Sequence, residues 1–346
     1  VWRRKCKSDG SEQGREKVME QQIKRIAVLT SGGDAPGMNA AIRAVVRTAA
    51  KSKMEVIGVQ KGFHGLIEGD FISLNKNDVS DIIQRGGTFL YTARCDEFRT
   101  LEGQKAGAAQ LKSAGIDALI VIGGDGSFEG ARRLKELGIR VIGIPVTIDN
   151  DVACTDYSIG FDTAVNTAMD AIDKIRDTSS SHERVSIVEV MGRGAGYIAL
   201  WCGIANGAED ILIPEMFDGN MPALIDRISS HVIETRAKGK THHIIINAEG
   251  IGHTYEIAKA IQDKTGVGTR ATILGYLQRG GSPSAKDRML ASLMGAFAVE
   301  ELAEGRVDEI IAVHEDKIVG YPITEALNMF KDVEPFMYRV SGLMVR

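Results

Sequence analysis

The chain has 346 residues, 44% apolar and 25% charged, with a formal net charge of −4. That is ordinary for one large globular unit or two domains, and the charge offers no electrostatic reason for a nucleic-acid or anionic-membrane partner. No stretch approaches the roughly 20 consecutive apolar residues that span a bilayer.

The four cysteines, Cys6, Cys95, Cys154 and Cys202, have neither metal-type spacing nor a disulfide framework, so a reducing compartment, the cytoplasm, is expected. Residues 1–22 mix charge and polarity without an apolar h-region and read as a disordered or weakly helical extension, not a secretory signal. Met19 stands just ahead of the first apolar run and is the expected physiological start, with the preceding residues as upstream read-through.

Ile26–Leu29 predicts a buried strand. It enters Thr30-Ser-Gly-Gly-Asp-Ala-Pro-Gly37, and apolar residues then recur at 38, 41, 42, 45, 46 and 49. A glycine-rich turn before helical periodicity is the arrangement of a phosphate loop at a helix N-terminus. It is neither GxGxxG nor GxxxxGK[ST], so a plain tight turn explains it equally well. Val56–Val59 predicts a second strand, followed by a polar, hairpin-like region from Gly62 to Gly69. In Arg85-Gly-Gly-Thr-Phe-Leu-Tyr-Thr-Ala-Arg94 a glycine pair is flanked by two arginines. Ala118–Ile122 is fully apolar and ends in Gly123-Gly-Asp-Gly-Ser127, with a helix after it. Asp125 in that turn suits a magnesium ion on bound phosphates.

The next apolar run, Val141–Ile144, ends in Pro145-Val-Thr-Ile-Asp-Asn-Asp151. Ligands of open parallel sheets sit at the carboxyl ends of strands, so this polar cluster is a site candidate. Asp-Asn-Asp taken alone suits a solvated turn at least as well. Beyond it, helices are predicted over 161–176, from about 195 to 205, and over 222–237, 255–264 and 285–303. Strands are predicted over 185–191, 211–213, 244–246 and 270–274. The alternation argues an α/β fold with one or two parallel sheets and a ligand crevice between two α/β layers.

The first half supplies glycine loops with one acid (Gly32, Gly33, Asp125, Gly126), suited to a magnesium–nucleotide. The second half supplies Arg184, Arg193, Arg270 and Arg279 near strand ends or glycine turns. A guanidinium fork matches phosphate, so this set suggests a second anionic substrate, although a single surface arginine is usually solvated or paired. Phosphoryl transfer also needs a base for the acceptor hydroxyl, for which Asp149 is the candidate.

Leu29-Thr-Ser-Gly-Gly-Asp-Ala-Pro-Gly-Met-Asn-Ala-Ala-Ile-Arg43, Arg85-Gly-Gly-Thr, Gly123-Gly-Asp-Gly-Ser127, Thr147-Ile-Asp-Asn-Asp151, Arg176-Asp-Thr-Ser-Ser-Ser-His182, Val188-Glu-Val-Met-Gly-Arg193 and Gln278-Arg-Gly-Gly-Ser-Pro283 together resemble the bacterial-type ATP-dependent 6-phosphofructokinases, in matching order. The resemblance implies two Rossmann-like three-layer α/β domains with mostly parallel sheets, a cleft between them holding the active site, and a homotetramer. The ATP domain would comprise residues 23–160 and 278–328, and the fructose 6-phosphate domain residues 161–277 and 329–346.

Carried over by motif, Asp149 would be the base for the sugar 1-hydroxyl, and Thr147, Arg94 and Arg193 would stabilise the transferring phosphoryl group. Asp125 would hold Mg2+ with help from Asp151, while Gly33, Arg94, Cys95, Gly124, Gly126 and Ser127 would line the ATP site. Met191, Gly192, Arg193, Glu249 and Arg279 would hold the sugar, and Arg184 and Arg270 of a neighbouring chain would bind its 6-phosphate. The effectors ADP and phosphoenolpyruvate would fall on Arg43, Arg47, Lys76, Arg176, Gly207, Glu209, Lys238 and Lys240, making the enzyme an allosterically regulated step of glycolysis.

Departures from the family pattern qualify these roles. Tyr276 stands where the family usually has His at the sugar phosphate; Tyr cannot carry positive charge, so weaker 6-phosphate binding is expected. Phe63 replaces a Tyr near the nucleotide, and Lys76, Asn77 and Thr241 replace Arg, Tyr and Lys in the effector region. Val146 stands where ATP-using relatives carry Gly, and its side chain would either crowd the phosphates or point into the domain. Pyrophosphate-dependent relatives tend to have an acid at the Gly126 position and Lys at the Val146 position; neither is present, so ATP is the expected donor. A non-catalytic nucleotide sensor would have lost Asp149, Asp125 or Arg193, and all three are present. NAD and lipid kinases share only Gly-Gly-Asp-Gly and leave the arginine set unexplained.

Overall fold

The computed structural model describes residues 23–343, so the expectations for residues 1–22 and for Met19 lie outside the described residues. In chain order the elements begin with β1 (Arg25–Thr30), α1 (Met38–Lys51), β2 (Glu55–Val59), α2 (Gly62–Glu68), β3 (Phe71–Leu74), α3 (Leu101–Ser113), β4 (Ala118–Gly123), α4 (Asp125–Glu136) and β5 (Arg140–Thr147). There follow β6 (Ile159–Gly160), α5 (Phe161–Ser181), β7 (Val185–Val190), α6 (Tyr197–Asn206), β8 (Asp210–Leu212), α7 (Met221–Ala237), β9 (His243–Ala248), α8 (Thr254–Thr265) and β10 (Thr269–Ile273). After a 3-10 turn at Gly275–Arg279 come α9 (Ala285–Ala303), β11 (Glu309–His314), β12 (Lys317–Pro322), α10 (Ile323–Ala326) and α11 (Pro335–Leu343).

Among the described residues these strands form two sheets. The larger has the order β12-β11-β5-β4-β1-β2-β3, with β6 added beside β5; the smaller has the order β10-β7-β9-β8. All pairings are parallel except β2–β3 and β11–β12. Buried parallel strands carry apolar residues on both faces, and the two-residue alternation sends each set to a different layer. In β4, Leu119 and Val121 face a core beneath α2, α3 and α4, whereas Ile120 and Ile122 face the core around α1 and α9. That second core continues through α5 and α6 to Val188 and Ile246 of the smaller sheet, so one apolar body holds both sheets. A third core lies between the smaller sheet and α7 and α8. Among the described residues no helix is long and apolar enough to cross a membrane.

The region expected to be hairpin-like, Gly62–Gly69, is instead the helix α2, closed by Gly69 in the left-handed conformation. Phe63 and Leu66 fall on one helical face and are buried, an i, i+3 pair too short to register as periodicity in the sequence. Gly65 is needed there because any side chain would strike the Gln60 carbonyl.

The orientation of Val146 is decided by the same alternation. It is 1% exposed and shares the central core with Ile142, Ile144 and Ile148, so it points into the body of the larger sheet. Val146→Gly should therefore lose roughly 2–4 kcal/mol of stability, from the lost burial and cavity and from glycine's backbone freedom. The KM for ATP should stay within about twofold of wild type, since the change leaves the cleft surface intact. Denaturant unfolding and steady-state kinetics check both, and a severalfold change in ATP KM would show that the side chain reaches the phosphates.

Candidate active site

The carboxyl ends of β1, β4 and β5 bring the first-half motifs together. β4 runs straight into α4: Gly124 is its N-cap, Asp125 its first residue, and the Ser127 and Phe128 amides donate to the Gly124 carbonyl at 2.8 and 3.1 Å. Gly126 lies on the first helical turn, with open space where a side chain would stand. The positive end of the helix therefore faces the cleft without obstruction. Ser127 is buried and packs its hydroxyl between Gly32 and Gly123, drawing the β1 and β4 loops together.

The loop after β1 is built differently from a phosphate loop at a helix N-terminus, one of the two readings its sequence allows. Gly32 and Gly33 are exposed, but Ala35, Pro36, Gly37 and Met38 are buried, and Gly37 packs against Ile159. The N-terminus of α1 is thus sealed in the core, and the glycine pair meets the cleft as exposed backbone several residues ahead of the helix. Thr92 Oγ1 donates to the Gly32 carbonyl at 2.9 Å, setting the Arg94–Cys95 segment alongside; Arg94 is exposed and Cys95 half-buried. Asn39 steadies the glycine pair of the next loop, its amide donating to the Arg85 and Gly86 carbonyls at 3.2 and 3.1 Å.

The loop after β5 is a buried turn. Asp149 and Asn150 are 6% and 4% exposed, which removes the reading of Asp-Asn-Asp as a solvated turn. Asn150 has φ +53, and its Oδ1 accepts from the Ser158 amide at 2.9 Å. The Asp149 amide donates to Thr147 Oγ1 at 3.2 Å, and the buried Oδ1 of Asp149 has no hydrogen-bond partner among the described residues. Burial, reinforced by the Asp151 charge, pushes the Asp149 carboxyl up to about 6; Glu249 adds to the rise, while Arg279 and Arg193 oppose it. Asp125 reaches solvent at the cleft mouth, yet protein crowds its carboxyl. That lost hydration and the Asp151 charge raise it to about 6 as well, against Lys331 and Arg193.

The smaller sheet supplies the opposite wall. The Met191 amide donates to Gln278 Oε1 at 3.1 Å, and the fully buried Gln278 in turn donates to the Gly275 carbonyl at 3.1 Å. Gly192 has φ +146 and closes on the Ala195 carbonyl, a position open only to glycine. Arg193 follows with φ +56, its amide donating to Glu249 Oε2 at 3.2 Å. Arg279 extends from the 3-10 turn across Gly33 and donates to the Asp34 carbonyl at 3.1 Å. Asp125, Asp149, Asp151, Arg193, Glu249 and Arg279 thus act on one another across the cleft.

The four arginines grouped by sequence do not form one set. Arg193 and Arg279 are in the cleft, but Arg184 precedes β7 and Arg270 lies at the start of β10, in register with Ser186. They belong to the amino end of the smaller sheet, a strand length of roughly 20 Å from Arg193. Arg184 Nη2 donates to Thr178 Oγ1 at 3.3 Å and Arg270 Nη1 to its neighbour's carbonyl at 3.0 Å. Tyr276, on the 3-10 turn, is 83% exposed.

The effector candidates also divide. Arg176 Nη2 donates to the Asn206 carbonyl at 2.5 Å, beside Gly207. The buried Glu209 pairs with Lys240 at 2.6 Å, and His242 stands among these charges. Lys238, at the end of α7, is exposed. Arg43 and Arg47 are elsewhere, on α1, where Arg43 feels Arg47 and Asp81; Lys76 is exposed after β3.

One cleft residue has no signal in the sequence. Lys331, a lone lysine in the segment before α11, donates to the Asn150 and Thr155 carbonyls at 2.8 and 2.9 Å. Burial pushes its ammonium down to about 8.

The phosphofructokinase family model matches residues 25–302. An ATP-dependent 6-phosphofructokinase of Clostridium botulinum (strain Alaska E43 / Type E3) is 55% identical over 324 residues, 94% of this chain and 100% of that protein. ATP-dependent 6-phosphofructokinase 1 of Clostridium perfringens (strain 13 / Type A) is 54% identical over 320 residues, 92% of this chain and 99% of that protein. Among solved structures, a phosphofructokinase from Saccharomyces cerevisiae matches 93% of this chain with a TM-score of 0.82 at 36% identity, and the chain spans about half, 48%, of the yeast chain. A pyrophosphate-dependent phosphofructokinase from Marinobacter aquaeolei matches 93% of this chain and 91% of its own with a TM-score of 0.80 at 24% identity, a likeness of fold alone.

A raised pKa makes the ionised Asp149 a cost to the fold. Stability from this group is fully present below the unfolded value of about 3.9 and is lost as pH rises through its folded value. Asp149→Asn should therefore be more stable than wild type at pH 8, by on the order of 2–3 kcal/mol, with the difference closing toward pH 4. Thermal unfolding across that range checks it; an Asn variant no more stable at pH 8 would contradict the desolvated carboxylate.

Proposed function

The chain belongs to the phosphofructokinase family, and on that premise we propose that it transfers the γ-phosphoryl group of ATP to the 1-hydroxyl of fructose 6-phosphate, giving fructose 1,6-bisphosphate and ADP. The observation that carries this reading is the buried, unpartnered Oδ1 of Asp149, in the field of Arg193 and Arg279. Ionised above pH 6, it is a poised acceptor for the proton of the attacking hydroxyl. Arg193, Arg94 and the Thr147 hydroxyl stabilise charge on the transferring group, where preorganised donors contribute most. The open N-terminal turn of α4 at Gly124, Gly126 and Ser127, together with Gly33 and Cys95, receives the nucleotide phosphates. Met191, Gly192, Glu249 and Arg279 orient the sugar.

The residues present fit a magnesium ion. Burial and, after it, the Asp151 charge raise Asp125; a divalent cation would relieve the repulsion between the two acids, and Mg2+ is usually held by one or two carboxylates plus substrate phosphates. When bound, it would neutralise developing charge on the phosphates. Asp125, at the positive end of α4, and Asp151 would hold it.

The sugar 6-phosphate would be met by Arg184 and Arg270 of a neighbouring subunit, since within one chain they lie at the far end of the smaller sheet. Tyr276 would approach it from the same chain as the cleft. This argues for a homotetramer in which neighbouring subunits complete each site, with each sheet and its helices forming one domain. ADP and phosphoenolpyruvate would bind around Arg176, Gly207, Glu209, Lys238 and Lys240, with Arg43, Arg47 and Lys76 facing them across a subunit contact. The cytoplasm is the proposed location.

ATP rather than pyrophosphate is favoured as donor because the space beside Gly126 is open and Val146 is turned into the core. The names of relatives more than half identical to this chain agree. A coupled assay with each donor tests the reading: turnover is expected with ATP, and comparable turnover with pyrophosphate would overturn it. Asp149→Ser should lower kcat by about 10³-fold, the scale of general-base catalysis, with KM for fructose 6-phosphate changing only a few-fold. Near-normal kcat would remove Asp149 as the base.

A further inference from the structure

We propose that Lys331 is a positioning residue for the reaction, its ammonium pinning the loop that presents Asp149 and Asp151 to the cleft. The inference rests on the roles proposed above for those two acids.

The loop turns through Asn150 in the left-handed conformation, which Asn tolerates better than other non-glycine residues because its short side chain can hydrogen-bond locally. Asn150's own side chain secures one side by accepting from the Ser158 amide at 2.9 Å. The main chain on the other side is held by Lys331, whose Nζ donates to the Asn150 carbonyl at 2.8 Å and the Thr155 carbonyl at 2.9 Å. A peptide unit is planar, so fixing the Asn150 carbonyl also fixes the Asp151 amide opposite it and the direction in which Asp151 leaves the turn. The same anchor holds Asn150 ψ and, through it, the approach of Asp149.

Lys331 is itself built into place. Its ammonium lies 5.2 Å from the centre of the Tyr197 ring on α6. Two residues later Val333 is buried in the central core, so the backbone carrying the lysine is anchored. Its positive charge is also felt by Asp125. The segment before α11 therefore links the core around α6 to the acid-bearing loop of the larger sheet.

The experiment uses the full-length enzyme with Lys331→Met, which keeps the side-chain length and removes the donors, and Lys331→Arg, which restores them. Lys331→Met is expected to lower kcat about 10–100-fold with KM for fructose 6-phosphate within about threefold, and Lys331→Arg to recover at least part of that loss. A mutant cycle with the Asp149→Ser/Asp151→Ala pair identifies the route: added to that pair, Lys331→Met should cost less than about threefold further, because both groups it positions are gone. Unchanged kcat in Lys331→Met, or a full and additive loss when it is combined with the Asp149→Ser/Asp151→Ala pair, would overturn the proposal. If Asp149→Ser by itself leaves kcat intact, the assignment of the base fails, and that result is distinct from failure of Lys331. Should Lys331→Met not fold, Lys331→Gln, whose amide stands one bond short of the Lys ammonium and so falls back from the two carbonyls, takes its place: a kcat between wild type and the Asp149→Ser level supports the proposal, and an unchanged kcat overturns it.

Discussion

The cleft depends on the desolvation of acidic groups. Asp125 and Asp149 lie at the carboxyl ends of β4 and β5, where protein withholds the water that would spread their charge and each feels the negative field of Asp151. Left alone such a group protonates, since removing an ionised carboxylate from water costs far more than folding can spare. Here Arg193, Arg279 and Lys331 oppose the shift, and none of them comes from the strand–loop that bears the acids. The charge balance of the larger sheet is therefore completed by the smaller sheet and by the segment before α11. The two walls require each other electrostatically as well as through packing.

The packing makes that balance rigid. A continuous core from β1, β4 and β5 through α5 and α6 to β7 and β9 fixes the distance between the strand ends. Buried strands leave little freedom below the loops, so the loops need few but specific supports. Gln278 holds the Met191 amide, Asn39 holds the 85–86 carbonyls, and Lys331 holds those of Asn150 and Thr155. Each is a side chain distant in sequence grasping backbone polar groups, which a buried loop must have satisfied.

The smaller sheet has two charged ends. Its carboxyl end, with Arg193 and Glu249, closes the cleft, while its amino end carries Arg184 and Arg270 outward. In a sequence both ends of a strand look alike: Arg184 just before β7 and Arg193 just after it are both at a strand end. Strand direction separates them by the length of the strand, so a single chain cannot bring both to one small ligand.

Much of this protein is legible in its sequence because apolar periodicity and glycine after a strand are local signals. The alternation of α4, α5, α7, α8 and α9 with their strands, the Gly-Gly-Asp-Gly turn and the candidate acids all stand within short windows. What tertiary structure decided is what depends on facing and distance. It turned Val146 inward, sealed the N-terminus of α1 while leaving that of α4 open, and made α2 a helix where the sequence reads as a polar, hairpin-like region. It also buried the Asp149–Asn150 turn and brought Lys331 to it across 181 residues of sequence. Burial and long-range hydrogen bonds belong to the packed state, and a residue's neighbours along the chain do not encode which way it will face.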